Sequence, residues 1–337
     1  MESKLEALLK QFIPGGKWKV KQGRGGINNT THFAETDGEK YVLRIYETHR
    51  DMDKVKYEHG ILSALKETNL YFGTPEPVKA VDNETVKYTE DGKPAALFRY
   101  MEGVTPGFDK PVQLYSFGLT TAKLTAALAN IKTQLTPVYR PYYEIENTHP
   151  KCSLGEVIRF CEKPSPEFAE YKGELLEVAA QMTRFRESLS RLRQLPHQLI
   201  HGDLNASNVL ADTEGNICAV LDFEFVTEDL RVMELCVCLS EIINMEHCEE
   251  VLWELLSAFI EGYGSTQKLT SAELSVIPLL IMLRRLDVFI HFLGRFRDGI
   301  DSIDIVTDQI SNAASQARWL DINEGRLLSL CSSLVNE

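Results

Sequence analysis

The chain is 337 residues long, 44% apolar, with 36 basic against 49 acidic side chains and a formal charge of −13. That length exceeds what one hydrophobic core usually spans and predicts two lobes, while the negative balance repels polyanions and so excludes nucleic acid and anionic membrane surfaces as partners. Met1-Glu2-Ser3-Lys4-Leu5 lacks a basic leader, and no apolar run approaches the ~18 residues of a membrane span, so the expectation is a cytoplasmic protein.

Leu5, Leu8, Leu9 and Phe12 fall at helical spacing, and Pro14-Gly15-Gly16 ends that short amphipathic helix. From Lys17 the period changes to two. Residues 17–22 predict a strand, Gly23-Arg24-Gly25-Gly26 interrupts it, 31–36 extends again, and Asp37-Gly38 is a hairpin turn into a strand over 40–46. A helix follows over 51–66, with Glu58 near its middle. After Thr74-Pro75-Glu76-Pro77, strands are predicted at 78–80, 86–89 and 95–100, the last two joined by an Asp91-Gly92 turn, and Gly103 to Pro106 ends the sheet. Beyond it the pattern is helical over 112–130, 168–195, 233–243, 249–263, 271–296 and 302–319, interrupted by one hairpin. The fold class is therefore α+β, with a small antiparallel β lobe carrying one main helix over 1–101 and a larger, mostly helical lobe over 102–337.

The interrupting hairpin holds the densest chemistry. Leu199-Ile200 and Val209-Leu210 read as short strands, Asp212 to Asn216 as a turn, and Ile217 to Leu221 as the return that brings Asp222 back beside Asn208. Phosphoryl transfer from ATP requires a carboxylate beside the attacking hydroxyl and oxygen ligands for magnesium. Asp203 fits the first need, and Asn208 with Asp222 the second. The spacing His201-x-Asp203-x-x-x-x-Asn208 matches the protein-kinase catalytic loop, with Gly202 where those enzymes carry arginine. A single Asp or Asn in a turn often only satisfies backbone groups, but the whole set at this spacing outweighs that reading. The seven cysteines form no Cys-x-x-Cys pair, Cys236 and Cys238 fall in an apolar segment as core thiols, and neither a disulfide nor a zinc site is predicted.

Three features fit a nucleotide. Gly23, Gly25, Gly26 and Asn28 lie in a flexible turn whose backbone N–H groups can approach phosphates, without the Lys-Ser/Thr ending of a Walker loop. Period two places Val42, Arg44 and Tyr46 on one strand face. Arg44 stands where a kinase has its phosphate-holding lysine, and Glu58 is its natural ion-pair partner. The connector Leu97 to Gly103, with Arg99 and Met101 as candidates, offers main-chain donors and acceptors to the adenine edge without the pattern fixing which of them pair, and Val42 and Met101 cover its faces.

The His201 to Asn208 and Asp222-Phe223 pattern resembles the aminoglycoside phosphotransferase and choline kinase superfamily. Gly26-Ile27-Asn28-Asn29-Thr30-Thr31-His32-Phe33, Gly92 to Leu97 and Glu102-Gly103 resemble its type II homoserine kinases. The resemblance implies a protein-kinase-like two-lobed fold, ATP and magnesium as cofactors, and transfer of the γ-phosphate to a small-molecule hydroxyl, of homoserine or a similar amino acid or amino alcohol. It implies Asp203 as the base, Asn208 and Asp222 as metal ligands, and Arg44 with the glycine-rich turn on the phosphates. Two departures stand out: arginine replaces lysine at 44, and Met233-Glu234-Leu235 appears where many relatives have Asp-Leu. Glu234 either takes over that orienting task with a longer reach or is a surface helix residue.

A zwitterionic acceptor needs a cation and an anion near Asp203. Glu224, Arg284, His291 and Arg295 are the candidates; Arg284, Val288, His291 and Arg295 recur on one helical face, although structural ion pairs at a helix edge would read the same way. The partner expected is a small-molecule hydroxyl acceptor, and the protein a monomer or homodimer. Two other functions remain open: a kinase for an aminoglycoside- or choline-like acceptor, and a catalytically weak or silent kinase-like binding or structural protein, motivated by Arg44 and Glu234. Protein-kinase activity lacks support, because no Ala-Pro-Glu signature or activation segment follows Asp222-Phe223.

Overall fold

A computed structural model describes residues 2–23, 29–47, 51–243 and 246–335. In chain order the elements are α1 (Glu2–Phe12), β1 (Lys19–Gln22), β2 (Asn29–Thr36), β3 (Glu39–Tyr46), α2 (Met52–Lys66), β4 (Lys87–Tyr88), β5 (Pro94–Arg99) and α3 (Pro111–Ala129). They continue with α4 (Leu154–Glu162), α5 (Lys172–Leu192), β6 (His197–Ile200), β7 (Val209–Ala211), β8 (Ile217–Val220), β9 (Thr227–Leu230), α6 (Arg231–Ile243), α7 (Glu249–Gly264), α8 (Ser271–Leu274), α9 (Ile277–Arg297) and α10 (Ile303–Cys331). The chain forms two compact units: Met1–Thr105 with Ile131–Val138 and Asn208–Glu224, and Pro106–Asn130 with Tyr139–Ser207 and Phe225–Glu337.

The first unit is built on a five-stranded antiparallel sheet in the order β1-β2-β3-β5-β4. Asp37 and Gly38 both take positive φ, 52° and 84°, which is the twist that a two-residue hairpin between β2 and β3 demands. Strand register then sorts the side chains. Phe33, Val42 and Phe98 align across one face with Thr31, Arg44 and Ala96, whereas Ala34, Tyr41, Leu43 and Leu97 face the other way. Leu8, Leu9 and Phe12 of α1 cover that second face and form its core. The strand expected at 78–80 reduces to one hydrogen bond, Val78 N–H to Leu97 O at 2.7 Å, beside a bridge at Pro77, because Pro75 and Pro77 have no N–H to extend a ladder. The β7–β8 hairpin belongs to this unit and is tied to it through Gly73, which donates to Cys218 O at 2.8 Å and accepts from Val220 at 2.9 Å.

The second unit is helical, with one small antiparallel pair, β6–β9. Helices α3 and α7 cross at backbone contact, since a Cβ on Gly118 would lie 2.0 Å from Phe259 O and one on Gly262 2.0 Å from Tyr115 O. Cys236 and Cys238 on α6 are fully buried, as core thiols. The continuous helix expected over 271–296 is broken into α8 and α9. Pro278 sits in the first turn of α9, where its missing N–H is harmless; within a longer helix it would have cost a hydrogen bond. Helix α10 runs past Trp319 to Cys331, and α4 and β9 were not anticipated. Among the described residues, no helix is long and apolar enough to cross a membrane.

Candidate active site

In the sheet unit, Arg44 is the hub. Its Nη1 donates to Glu58 Oε1 at 3.0 Å and its Nη2 to Asp222 Oδ1 at 2.9 Å, so one planar fork holds two carboxylates from α2 and from the end of the β7–β8 hairpin. Tyr46 Oη donates to the other oxygen of Glu58 at 3.1 Å, and the guanidinium lies 5.7 Å from the centre of the Phe98 ring. Burial alone would lower the Arg44 pKa, but Asp222 and Glu58 outweigh it and hold the group well above its ordinary value. Burial pushes Glu58 up to about 7 against the pull of Arg44.

The hairpin delivers Asp222 beside Asn208, through Leu221 N–H to Asn208 O at 2.8 Å. Asp222 has φ +60°, a left-handed conformation that costs a non-glycine residue on the order of 1 kcal/mol and is held here by the hairpin. Among the described residues no group of three or more His, Cys, Asp or Glu could hold a metal. Two oxygen donors, the Asn208 amide and the Asp222 carboxylate, instead fit a hard cation that takes its remaining ligands from water and phosphate, as magnesium does.

Glu224 is buried in the same unit, where Asn29 Nδ2 donates to its Oε2 at 2.9 Å. Gly23 N–H donates to Thr31 O at 2.9 Å, prolonging the β1–β2 pairing, while Gly25, Gly26 and Asn28 lie outside the described residues. Val42 is half-buried on the face away from α1. Arg99 is exposed and its N–H donates to Glu76 O at 3.1 Å; Met101 is half-buried, against Gly73.

In the helical unit, the loop bearing Asp203 is held from beneath by Glu234. Its carboxylate accepts the backbone N–H groups of His201 and, at 3.3 Å, Gly202, and it is fully buried, which corrects the surface-residue reading. Burial pushes its pKa up to about 7, opposed by those two N–H donors. Gly202 has φ +79°, and a Cβ there would sit 3.2 Å from Phe225 O, so the arginine of protein kinases would be strained at this position. Asn205 completes the loop, donating to Asp203 O at 3.0 Å and accepting from Ser207 N and Oγ at 2.9 and 2.6 Å.

Arg284 on α9 reaches Asp203, its Nη2 donating to Oδ1 at 2.5 Å. Two residues that sequence reasoning missed support this pair. Tyr142 accepts from Arg284 Nη1 at 2.7 Å and donates to Gly202 O at 2.7 Å, while buried Asp229 accepts the Tyr142 N–H at 2.7 Å and the Leu230 N–H at 2.6 Å. Burial lifts Asp229 to about 7. Neither residue sits in a motif; Tyr142 meets the loop, and Asp229 meets Tyr142, only through the fold. Arg295 is occupied elsewhere, its Nε and Nη2 on Asp301 at 2.5 and 3.0 Å. Eleven residues of helix put it about 16 Å along the axis from Arg284. His291, half-buried, has its pKa lowered by burial to about 4, with Arg295 adding to the effect.

A sequence model of the phosphotransferase enzyme family matches residues 19–274. The chain is 26% identical over 263 residues to a homoserine kinase of Hyphomonas neptunium, covering 76% of this chain and 75% of that one. It is 25% identical over 279 residues to a homoserine kinase of a Bradyrhizobium species, covering 82% and 79%. Among solved structures, a microcompartment-associated aminopropanol kinase superposes with a TM-score of 0.70 at 18% identity, over 97% of this chain and 98% of that one. An amicoumacin kinase in complex with AMP-PNP and calcium gives 0.68 at 17% identity, over 94% and 93%.

Proposed function

The chain belongs to the phosphotransferase enzyme family, and from that membership we propose that it transfers the γ-phosphate of ATP to the hydroxyl of a small amino acid or amino alcohol, with homoserine the favoured acceptor. The observation that carries this reading is the Asp203 loop, locked by Glu234 beneath and Asn205 within, beside a cationic Arg284. In the reaction the acceptor oxygen forms a bond to the γ-phosphorus, the bond from phosphorus to the bridging β–γ oxygen breaks, ADP departs, and the hydroxyl proton passes to Asp203. Magnesium bound by Asn208 and Asp222 would neutralise phosphate charge.

Arg44 takes the phosphate-holding role. Its pairing with Glu58 is the ion pair that a kinase lysine makes with its helix glutamate, which favours an active enzyme over a silent one. The Gly23 turn, Val42, Arg99 and Met101 belong to the same nucleotide side. For the acceptor, two relatives named homoserine kinase and a guanidinium next to the base favour a compound with a carboxylate. A polycationic sugar would call for carboxylates where Arg284 stands.

The test is ATP turnover by the purified protein with magnesium and a panel of homoserine, threonine, choline, 3-amino-1-propanol and an aminoglycoside. Transfer to homoserine above the others is expected. Folded protein that phosphorylates none of them would remove the proposal.

A further inference from the structure

Three arginines of the helical unit present the Nε and Nη2 edge of the guanidinium towards a carboxylate. Arg231 fills that fork with Glu273, at 2.9 and 2.5 Å, and Arg295 fills it with Asp301, at 2.5 and 3.0 Å. Arg284 fills half of it. Its Nη2 donates to Asp203 Oδ1 at 2.5 Å, but its buried Nε has no hydrogen-bond partner, with Glu241 Oε1 3.9 Å away. Leaving a buried N–H without an acceptor is unfavourable, and a single carboxylate oxygen on a two-donor edge forgoes the stronger bidentate pairing. The opposite edge is already anchored. Nη1 donates to Tyr142 Oη at 2.7 Å, and Tyr142 is in turn fixed to Gly202 O, so Arg284 can exchange partners at Nη2 without losing its position.

We propose that the carboxylate of the acceptor completes this fork, taking Nε and Nη2 together, and that it thereby releases Asp203 Oδ1 for the acceptor hydroxyl. The inference rests on the reading of Asp203 as the base of a small-molecule kinase and narrows its substrate class. A hydroxy amino acid carries both the carboxylate that frees the base and the hydroxyl that the base receives. An amino alcohol leaves Arg284 on Asp203. Glu241, beside the same edge, supplies the negative charge that an α-ammonium group needs.

Homoserine and 3-amino-1-propanol differ only by that carboxylate, and they are compared as acceptors for the wild-type enzyme, Arg284→Gln and Arg284→Lys, alongside calorimetric binding of each without nucleotide. The wild type is expected to favour homoserine in kcat/KM by about 100-fold or more, and both variants to shrink that preference to roughly fivefold or less, chiefly through loss on homoserine. If Arg284→Gln fails to fold, Arg284→Lys carries the test, because it keeps the charge and loses the fork. Equal use of the two acceptors by the wild type, or parallel loss on both in the variants, would overturn the inference and leave the kinase reading standing. Absent turnover with carboxylate-dependent binding that both variants abolish would sustain the carboxylate site at Arg284 and remove the kinase reading, and with it the release of Asp203. Absence of both turnover and binding would remove both.

Discussion

At the scale of single residues, Arg44 stands where the motif has lysine and still pairs with the carboxylate of α2. A lysine is one point charge, whereas the arginine fork spans Glu58 and Asp222 simultaneously, with 15% of its side chain exposed. Truncating it leaves Glu58 buried and unpaired, so Arg44→Ala should lower stability by about 3 kcal/mol or more at pH 8 in denaturant unfolding. The loss should be smaller at pH 5.5, where Glu58, already lifted to about 7 by burial, accepts a proton instead of remaining a bare charge. Arg44, Glu58, Asp203, Asn208 and Asp222 could all be singled out as candidates from the sequence, because residues of these types at this spacing match the kinase pattern. Tyr142 and Asp229 could not. Tyr142 reaches the loop across 60 residues of chain, and Asp229 reaches Tyr142 across 87, and a lone tyrosine or aspartate carries no local signal.

At the scale of elements, Glu234 makes α6 a support for the loop that bears Asp203. Two buried N–H groups depend on it, and each would lose its acceptor in Glu234→Ala, at about 1–3 kcal/mol apiece. That variant should therefore unfold at clearly lower denaturant and lose most of its turnover, while Glu234→Gln, which keeps an acceptor oxygen, should retain more of both. The β2–β3 hairpin and the β7–β8 hairpin were legible because Asp37-Gly38 and the Asp212 to Asn216 turn are sufficient local instructions. The break before α9 was written in Pro278 but masked by the apolar run around it. Strand β9 escaped notice because it exists only by pairing with β6, His197 against Leu230 and Ile200 against Thr227.

At the scale of the whole molecule, buried carboxylates set how stability responds to pH. Asp229 has an ordinary pKa of 3.8 and is raised to about 7 in the fold, so the unfolded chain releases its proton near pH 4 while the folded chain keeps it. Its contribution is complete below pH 4 and is lost as pH rises towards 7, by up to about 1.4 kcal/mol per pH unit. The wild type should accordingly resist denaturant better at pH 5 than at pH 7.5, and Asp229→Asn should flatten that slope. That an antiparallel sheet comes first and helices follow was legible from the change of period near residue 103, since periodicity is a property of the whole sequence, whereas the assignment of 131–138 and 208–224 to the sheet unit depends on contacts made only after folding. Asp203 is proposed as the base of a small-molecule kinase. Steady-state transfer of phosphate from ATP to homoserine, compared between the wild type and Asp203→Asn at matched folding, tests it most directly. A loss of ~100-fold or more in kcat is predicted, and turnover within about threefold of the wild type would contradict it.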